Sequence, residues 1–213
     1  KDLSNLNKDI YSPDKSLKLT LNCNGGSITY SLTKNKKLII DKSILGLQSD
    51  KFDFSDDLVI LNYEINKNNS SWTQIWGEQK TIVDKNNELL LNVSSKETDL
   101  KMNLHFKVFN DGLGFRYEIP EQDGIDAFNI TDELTEFNFS EDSESWWIPA
   151  YAYRRYEFLY ANTLISEISR DKFSELVEHL NGPRIGPEAV QTPFTTQRKD
   201  GITISIHEAN LTN

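Results

Sequence analysis

The sequence predicts an all-β fold from three observations: short alternating stretches, turn residues between them and a single helical segment. Apolar and polar residues alternate with a period of two in 17–21, 101–108 and 202–206, as in strands with one buried face. Turn-forming residues such as Asn24-Gly25-Gly26 follow several of these stretches. Strands at this spacing, joined by hairpin turns, are typical of an antiparallel β-sandwich.

Composition is that of an ordinary folded chain, with 37% hydrophobic and 26% charged among 213 residues. We expect residues 1–213 to form one large domain. A net charge of -10 and the lack of a basic stripe with interleaved aromatics argue against a nucleic-acid partner.

Cys23 is the single cysteine, so no internal disulfide is predicted, and a buried strand position suits it.

Targeting signals are not evident in the sequence. No apolar run reaches the ~18 residues that a membrane-spanning helix needs. The first residues, Lys1-Asp2-Leu3-Ser4, lack the apolar core of a signal peptide. The protein is therefore expected either to be cytoplasmic or to have lost its signal.

The first half is predicted to be a series of hairpins. Further turns are expected at Lys34-Asn35-Lys36, at Asp84-Lys85-Asn86-Asn87 and at Asp111-Gly112. A Ser/Asn-rich loop is predicted before Trp76-Gly77-Glu78, and Gly77 is expected to mark a bulge or a close backbone approach.

One hairpin is particularly clear. Alternation predicts a strand with four apolar side chains on one face and His105 on the polar face; the four are Met102, Leu104, Phe106 and Val108. The second strand, 114–119, follows Asn110-Asp111-Gly112 and ends at Pro120, which cannot donate a ladder hydrogen bond.

Helical spacing occurs once, in the second half. The apolar positions are Ile165, Ile168, Phe173, Leu176, Val177 and Leu180, with Gly182-Pro183 as a stop signal. They predict one short helix of about three turns that begins near Ser169 or Asp171. The period returns to two in Ile202–Ile206, which predicts a late strand.

Motifs for several chemistries are absent from the sequence: a phosphate loop, a CxxC pair, an HExxH helix, an EF-hand loop and a GxSxG elbow. The three histidines lie in unrelated local settings, which argues against a Ser-His-Asp triad. With 33 acidic residues, a catalytic carboxylate pair cannot be chosen from spacing, and most of these side chains are expected at the surface.

His207-Glu208 follows the strand Ile202–Ile206 directly, where functional groups are often presented. Glu208 would continue the face of Ile202, Ile204 and Ile206 if the strand ran on. A buried carboxylate needs a cation, a donor or a proton. The residues alone allow a structural ion pair, a surface position at the strand end, or a metal or substrate role.

Aromatic residues are densest in the stretch from Trp146 to Tyr156, which includes Trp147, Tyr151 and Tyr153. Such side chains supply core or interface area, and their faces also stack on sugar rings. A core and domain-interface role and a sugar-binding platform are therefore both open.

Several segments together resemble the N-terminal domain of glycoside hydrolase family 97, a family of bacterial α-glucosidases and α-galactosidases. The most specific are 109–117 (FNDGLGFRY), Trp147-Ile148-Pro149, Gln191-Thr192-Pro193-Phe194 and 200–209, which ends in His207-Glu208-Ala209. Weaker matches are Ser12-Pro13-Asp14, 43–47, Trp76-Gly77-Glu78 and 86–89. Their order and spacing also match the family.

The resemblance implies a large antiparallel β-sandwich of the super-sandwich, galactose mutarotase-like type. It also implies a parent enzyme in which a catalytic (β/α)-barrel and a small β domain follow. Because the catalytic residues are expected in that barrel, none is assigned here, and inverting and retaining mechanisms both remain open. The family's domain continues past His207-Glu208-Ala209, so further strands are expected beyond Asn213.

Glu208 is the one site residue that the resemblance assigns, as a ligand of calcium shared with glutamates of the barrel. Calcium takes ~6–8 oxygen ligands, so the isolated domain is expected to bind it poorly.

The implied function is a noncatalytic domain of a calcium-dependent, exo-acting α-glycosidase, at the periplasm or cell surface with its signal removed. The implied partner is an oligosaccharide or α-glycoside held by the barrel, with no nucleic acid and no membrane span.

Two other hypotheses stay open. The sandwich could be an autonomous carbohydrate-binding module that uses Trp146, Trp147, Tyr151 and Tyr153. It could also be a structural spacer, in which case loss of the Glu208 carboxylate would leave calcium dependence unchanged.

Overall fold

A computed structural model describes residues 5–150, 158–176, 186 and 188–209. Among them the chain is mostly strand, with one α-helix and one 3-10 turn, and every paired strand is antiparallel. The predicted all-β sandwich class is confirmed. None of the described helices is long and apolar enough to cross a membrane.

The strands of the first half are β1 Asn5–Tyr11, β2 Leu17–Asn24, β3 Ser27–Lys34, β4 Lys37–Leu45, β5 Leu47–Ser49, β6 Leu58–Thr73, β7 Thr81–Ser95, β8 Lys101–Val108, β9 Leu113–Glu118 and β10 Ile130–Glu133. Those of the second half are β11 Glu144–Trp147, β12 Ala161–Leu164, β13 Phe194–Gln197 and β14 Thr203–Ile206, with the 3-10 turn at Ile165–Glu167 and the helix α1 at Arg170–Leu176.

The chain divides into two compact units, residues 1–140 and 141–213. The first holds two four-stranded sheets, β1-β2-β3-β4 and β6-β7-β8-β9, and the small sheet β5-β10. The second holds the four-stranded sheet β12-β11-β13-β14. The single domain expected over residues 1–213 stays a prediction.

The core of the first unit lies between its two large sheets, where β1 contacts β7 and β2 contacts β8. One sheet contributes the fully buried Leu19, Leu21 and Ile28, and the other contributes Leu89 and Phe106. Burying one such side chain contributes about 1.5–3 kcal/mol. Cys23 is also buried, as predicted, and burial raises the pKa of its thiol.

The predicted β8–β9 hairpin is confirmed, with Phe106 opposite Phe115. The four alternating apolar side chains of β8 are buried, and His105 is half-buried on the polar face. There its Nε2 lies 2.5 Å from Glu118 Oε2, and its Nδ1 lies 3.7 Å from Glu88 Oε1. Hydrogen bonds from His105 and Asn103 lower the pKa of the Glu118 carboxyl.

Two predictions on either side of Trp76-Gly77-Glu78 were wrong: the Ser/Asn-rich loop before it and the turn at Asp84-Lys85-Asn86-Asn87. The Ser/Asn-rich stretch is part of β6, and 84–87 is part of β7 rather than a turn. Asp84 of β7 accepts hydrogen bonds from Asn68 Nδ2 of β6 at 2.8 Å and from Asn86 Nδ2 of its own strand at 2.6 Å. Cross-strand pairing thus outweighs the turn preference of these polar residues.

Gly77 lies in the turn that joins β6 to β7 and does not form a bulge. Its backbone φ of +115° is a value that residues other than glycine rarely adopt. A Cβ atom there would lie 2.5 Å from Gln74 Nε2. The close approach expected at Gly77 is thus made by a side chain of the same turn.

The helix α1 begins where predicted, and Ser169 Oγ accepts a hydrogen bond from the Lys172 backbone N–H at 3.1 Å, as an N-cap does. Its described length is 7 residues. Ile165 belongs to the 3-10 turn and Ile168 lies between the turn and α1, so both precede the helix, in agreement with its predicted start, although they fit the helical spacing. Val177, Leu180 and the stop signal Gly182-Pro183 lie outside the described residues.

Candidate functional site

The segment that leads to Glu208 is the hairpin β13–β14, in which Phe194 faces Ile206 and Gln197 faces Thr203. The predicted alternation holds along this segment. Ile204 and Ile206 are half-buried, whereas Thr203 and Ser205 are exposed. The strand ends at Ile206, so the two residues after it leave the sheet.

Glu208 is exposed and lies two residues beyond the last paired residue of β14. It does not continue a buried face, because the strand does not run on. Among the described residues its carboxylate has no hydrogen-bond or ion-pair partner, so nothing there supports the structural ion-pair hypothesis. The carboxylate is available to bind a group from elsewhere.

The turn between β13 and β14 holds this hairpin in place. Arg198 is nearly buried, and its guanidinium lies 3.2 Å from Glu141 Oε2 and 3.3 Å from Asp200 Oδ1. Its backbone N–H donates to Ile202 O at 2.9 Å, and Gly201 adopts a φ of +88°. Sequence reasoning missed Arg198, because its partner Glu141 is distant in sequence and only Asp200-Gly201 signals a turn.

A calcium site cannot be assembled from the described residues alone. They contain no group of three or more histidine, cysteine, aspartate or glutamate side chains placed to hold a metal. Calcium prefers carboxylate oxygen, which fits Glu208 as one ligand, but its shell takes ~6–8 oxygens. The remaining ligands would have to come from residues outside the described part of the chain.

The aromatic stretch separates into residues with different surroundings. Trp147 is 1% exposed, donates from Nε1 to Thr163 Oγ1 at 3.0 Å and packs on Phe173 with ring centroids 5.6 Å apart. Trp147 is therefore a core residue, as one of the two open alternatives predicted, and it is not exposed to serve as part of a sugar-binding platform. Trp146 is half-buried on the opposite face of β11, and Tyr151 and Tyr153 lie outside the described residues.

Comparison with known proteins gives a consistent result over most of the chain. The family model described as Glycosyl-hydrolase 97 N-terminal matches residues 10–213. A glycoside hydrolase family 97 enzyme of Pseudoalteromonas sp. strain K8, solved in complex with acarbose, is 33% identical with a TM-score of 0.80. The same values hold for its complex with panose.

Coverage differs strongly between the two chains. The match covers 96% of this chain but 28% of the Pseudoalteromonas enzyme. A β-arabinopyranosidase structure is 20% identical with a TM-score of 0.72 over 89% of this chain and 29% of that one, a likeness that shows the fold alone. The match of the family model over nearly the whole sequence shows that the chain belongs to glycoside hydrolase family 97, as its N-terminal region.

Proposed function

We propose that this chain is the noncatalytic N-terminal domain of a calcium-dependent, exo-acting α-glucosidase or α-galactosidase. In this proposal it packs on the catalytic barrel of the parent enzyme and supplies Glu208 as one calcium ligand. The parent acts on an oligosaccharide or α-glycoside at the periplasm or the cell surface.

The observation that carries the proposal is the exposed carboxylate of Glu208, two residues beyond the end of a strand that is fixed in a sheet. A metal ligand has to be held in place by its scaffold, and a strand end does this better than a flexible loop. The carboxylate is also free of partners among the described residues, so no internal ion pair would have to break for it to bind a cation.

Similarity to known enzymes supports the saccharide part of the proposal. The Pseudoalteromonas relative was solved in complex with panose and with acarbose. Since this chain spans 28% of that relative's length, hydrolysis itself is assigned to the parent and not to these residues. We expect residues 1–213 alone to have no glycosidase activity.

Calcium, when bound, would supply a localised positive charge that orients sugar hydroxyls and affects the proton affinity of nearby carboxyls. The contribution of this chain is narrower. The β13–β14 hairpin and the ion pairs of Arg198 fix the strand, and Glu208 provides negative charge and oxygen at its end. Removal of that carboxylate should therefore weaken calcium binding without unfolding the domain.

The test is the calcium dependence of α-glucosidase and α-galactosidase activity in the full-length parent, for wild type and Glu208→Gln. The variant keeps the size of the side chain and removes its charge. We expect it to lose most activity at low calcium and to recover part of it at high calcium. Activity and calcium dependence like those of the wild type would show that Glu208 is not a ligand.

Glu144→Gln is the matched control. Like Glu208, Glu144 is an exposed glutamate of the second unit, and it lies at the start of β11. Its loss should leave the calcium dependence of the parent unchanged. An equal effect of both variants would point to the general charge of the domain and away from a specific ligand.

A further inference from the structure

The β6–β7 hairpin extends beyond the sheet to which it belongs. β7 pairs with β8 only from Asn87 to Ser94, but it pairs with β6 as far as Thr81. Residues 68–86 therefore form a two-stranded extension, here called the arm, with no third strand among the described residues. Isolated two-stranded hairpins are marginally stable at best in water.

The arm carries large apolar side chains at its surface. Ile75 is 90% exposed and Trp76 is 85% exposed, both in the turn at its tip. Val83 is 62% and Trp72 is 52% exposed on its strands. Trp72 and Val83 lie on opposite faces of the arm, because Val83 pairs with Ser71, the residue before Trp72. Single exposed apolar residues are ordinary, but two adjacent large ones at a projecting tip, Ile75 and Trp76, are typical of a binding surface.

The tip is nevertheless a well-formed turn. Gln74 donates from its backbone N–H to Lys80 O at 3.1 Å and from Nε2 to Gln79 O at 2.7 Å. At the base of the arm, Asp84 accepts hydrogen bonds from Asn68 and Asn86. These bonds fix the tip and the base of the arm in a conformation that leaves Ile75 and Trp76 exposed.

Charge and chain length indicate what covers the arm. A second copy of this chain would bring together two bodies that each carry a net charge of -10, which disfavours self-association. The family 97 relative has a chain of which this one covers only 28%. A much larger part of the same polypeptide is thus the occupant that length favours.

We propose that the arm is the element by which this domain docks on the rest of its polypeptide, with Ile75 and Trp76 buried in an apolar groove of that part. The proposal rests on the proposed function insofar as it requires a longer parent. It requires neither calcium nor Glu208. Aromatic anchors of this kind contribute a large share of the energy at interfaces.

The experiment compares amide hydrogen exchange of residues 68–86 in the full-length parent and in the 213-residue chain. We expect exchange in the arm to be about tenfold slower or more in the parent, because docking suppresses local opening. Amides of β8 serve as an internal reference with equal protection in both. Equal exchange of the arm in the two proteins would overturn the proposal.

A double variant tests whether the apolar tip is responsible. In the parent, Ile75→Ser with Trp76→Ser should abolish the extra protection of the arm. Leu159→Ser is the matched control, since it removes another strongly exposed apolar side chain, in the second unit, and should leave the arm protected. Unchanged protection in the double variant would contradict docking through the tip.

Three outcomes separate this proposal from its alternatives. If the chain by itself forms a dimer by light scattering, and the double variant is monomeric, the occupant is a second copy and the proposal is wrong. If Glu208→Gln leaves calcium dependence intact while the arm remains protected in the parent, docking stands and the metal-ligand assignment fails. If Glu208→Gln alters the calcium dependence while the arm is not protected in the parent, the metal-ligand assignment stands and docking fails.

Discussion

Trp147 and Trp76 are the same side chain in opposite surroundings. Trp147 lies on the central strand β11, is 1% exposed and has a partner for its indole N–H. Trp76 lies at the tip of a two-stranded arm and is 85% exposed. Both belong to sequence segments that resemble the family, so resemblance does not separate a core residue from a binding residue.

The difference lies in how many elements cover each residue. β11 is flanked by β12 and β13, and Phe173 of α1 packs on Trp147. The arm has no third strand among the described residues. Burial is therefore decided by neighbours that are distant in sequence, and the local apolar pattern of the chain reports it only in part.

Among these substitutions, replacement of Trp147 should cause the largest loss of unfolding free energy. Trp147→Ala leaves a cavity against Phe173 and leaves Thr163 Oγ1 without its donor, and we expect it to cost about 3–5 kcal/mol of unfolding free energy. Chemical denaturation of the 213-residue chain measures this. Trp146→Ala, on the other face of the same strand, is the control and should cost clearly less. Similar losses would contradict the assignment of Trp147 to the core.

The polar face of β8 should show a smaller effect. His105→Ala removes the hydrogen bond that lowers the pKa of Glu118, so that pKa should rise toward the ordinary value for glutamate. The same change should cost about 0.5–1.5 kcal/mol, reduced by partial exposure to solvent. An NMR titration of Glu118 checks the pKa, and denaturation checks the stability. His207→Ala, at an exposed histidine after β14, should change neither.

The lowered pKa of Asp14 implies that its carboxylate stabilises the fold and that this contribution is lost in acid. Hydrogen bonds from Ser12 Oγ and the Ser16 backbone N–H lower its pKa to about 2. Because the folded pKa lies below the unfolded one, this contribution is complete above pH ~4 and is lost as pH falls toward 2. Melting curves of Asp14→Asn should thus differ from wild type at pH 6 and converge with it near pH 2. Asp111→Asn, at another exposed turn aspartate, should match wild type at both.

Trp76→Ala should have the smallest effect in the 213-residue chain. Its side chain is already exposed, so truncation removes little buried area, and we expect a change within about 0.5 kcal/mol. Denaturation beside Trp147→Ala makes the comparison direct. A loss of about 2 kcal/mol or more of unfolding free energy, as expected for a buried large side chain, would mean that Trp76 is buried in the 213-residue chain itself.

Local pattern was sufficient for much of the fold. The alternation of 101–108 correctly predicted the buried and polar faces of β8, and Asp111-Gly112 correctly predicted the turn to β9. Ser169 marked the beginning of α1. In these cases the period and the turn chemistry are determined by residues close in sequence.

The pattern failed where distant pairing decides the structure. Asp84, Asn86 and Asn87 have the composition of a turn, yet they lie in β7 because β6 offers hydrogen-bond partners along its length. The polar stretch of β6 could not be recognised as a strand for the same reason. For the site, strand β14 was predictable from its period. The ion pair of Arg198 with Glu141 was not, because the two residues are far apart in sequence and no local pattern links them.

The most direct test of the account is the calcium affinity of the full-length parent, measured by isothermal titration for wild type and Glu208→Gln. Changes outside the first ligand shell already cost about 10–100-fold in metal affinity, so loss of a direct ligand should weaken binding by about 100-fold or more. The 213-residue chain should bind calcium poorly in either form. Equal affinity of the two parent proteins would contradict the assignment of Glu208 as a ligand.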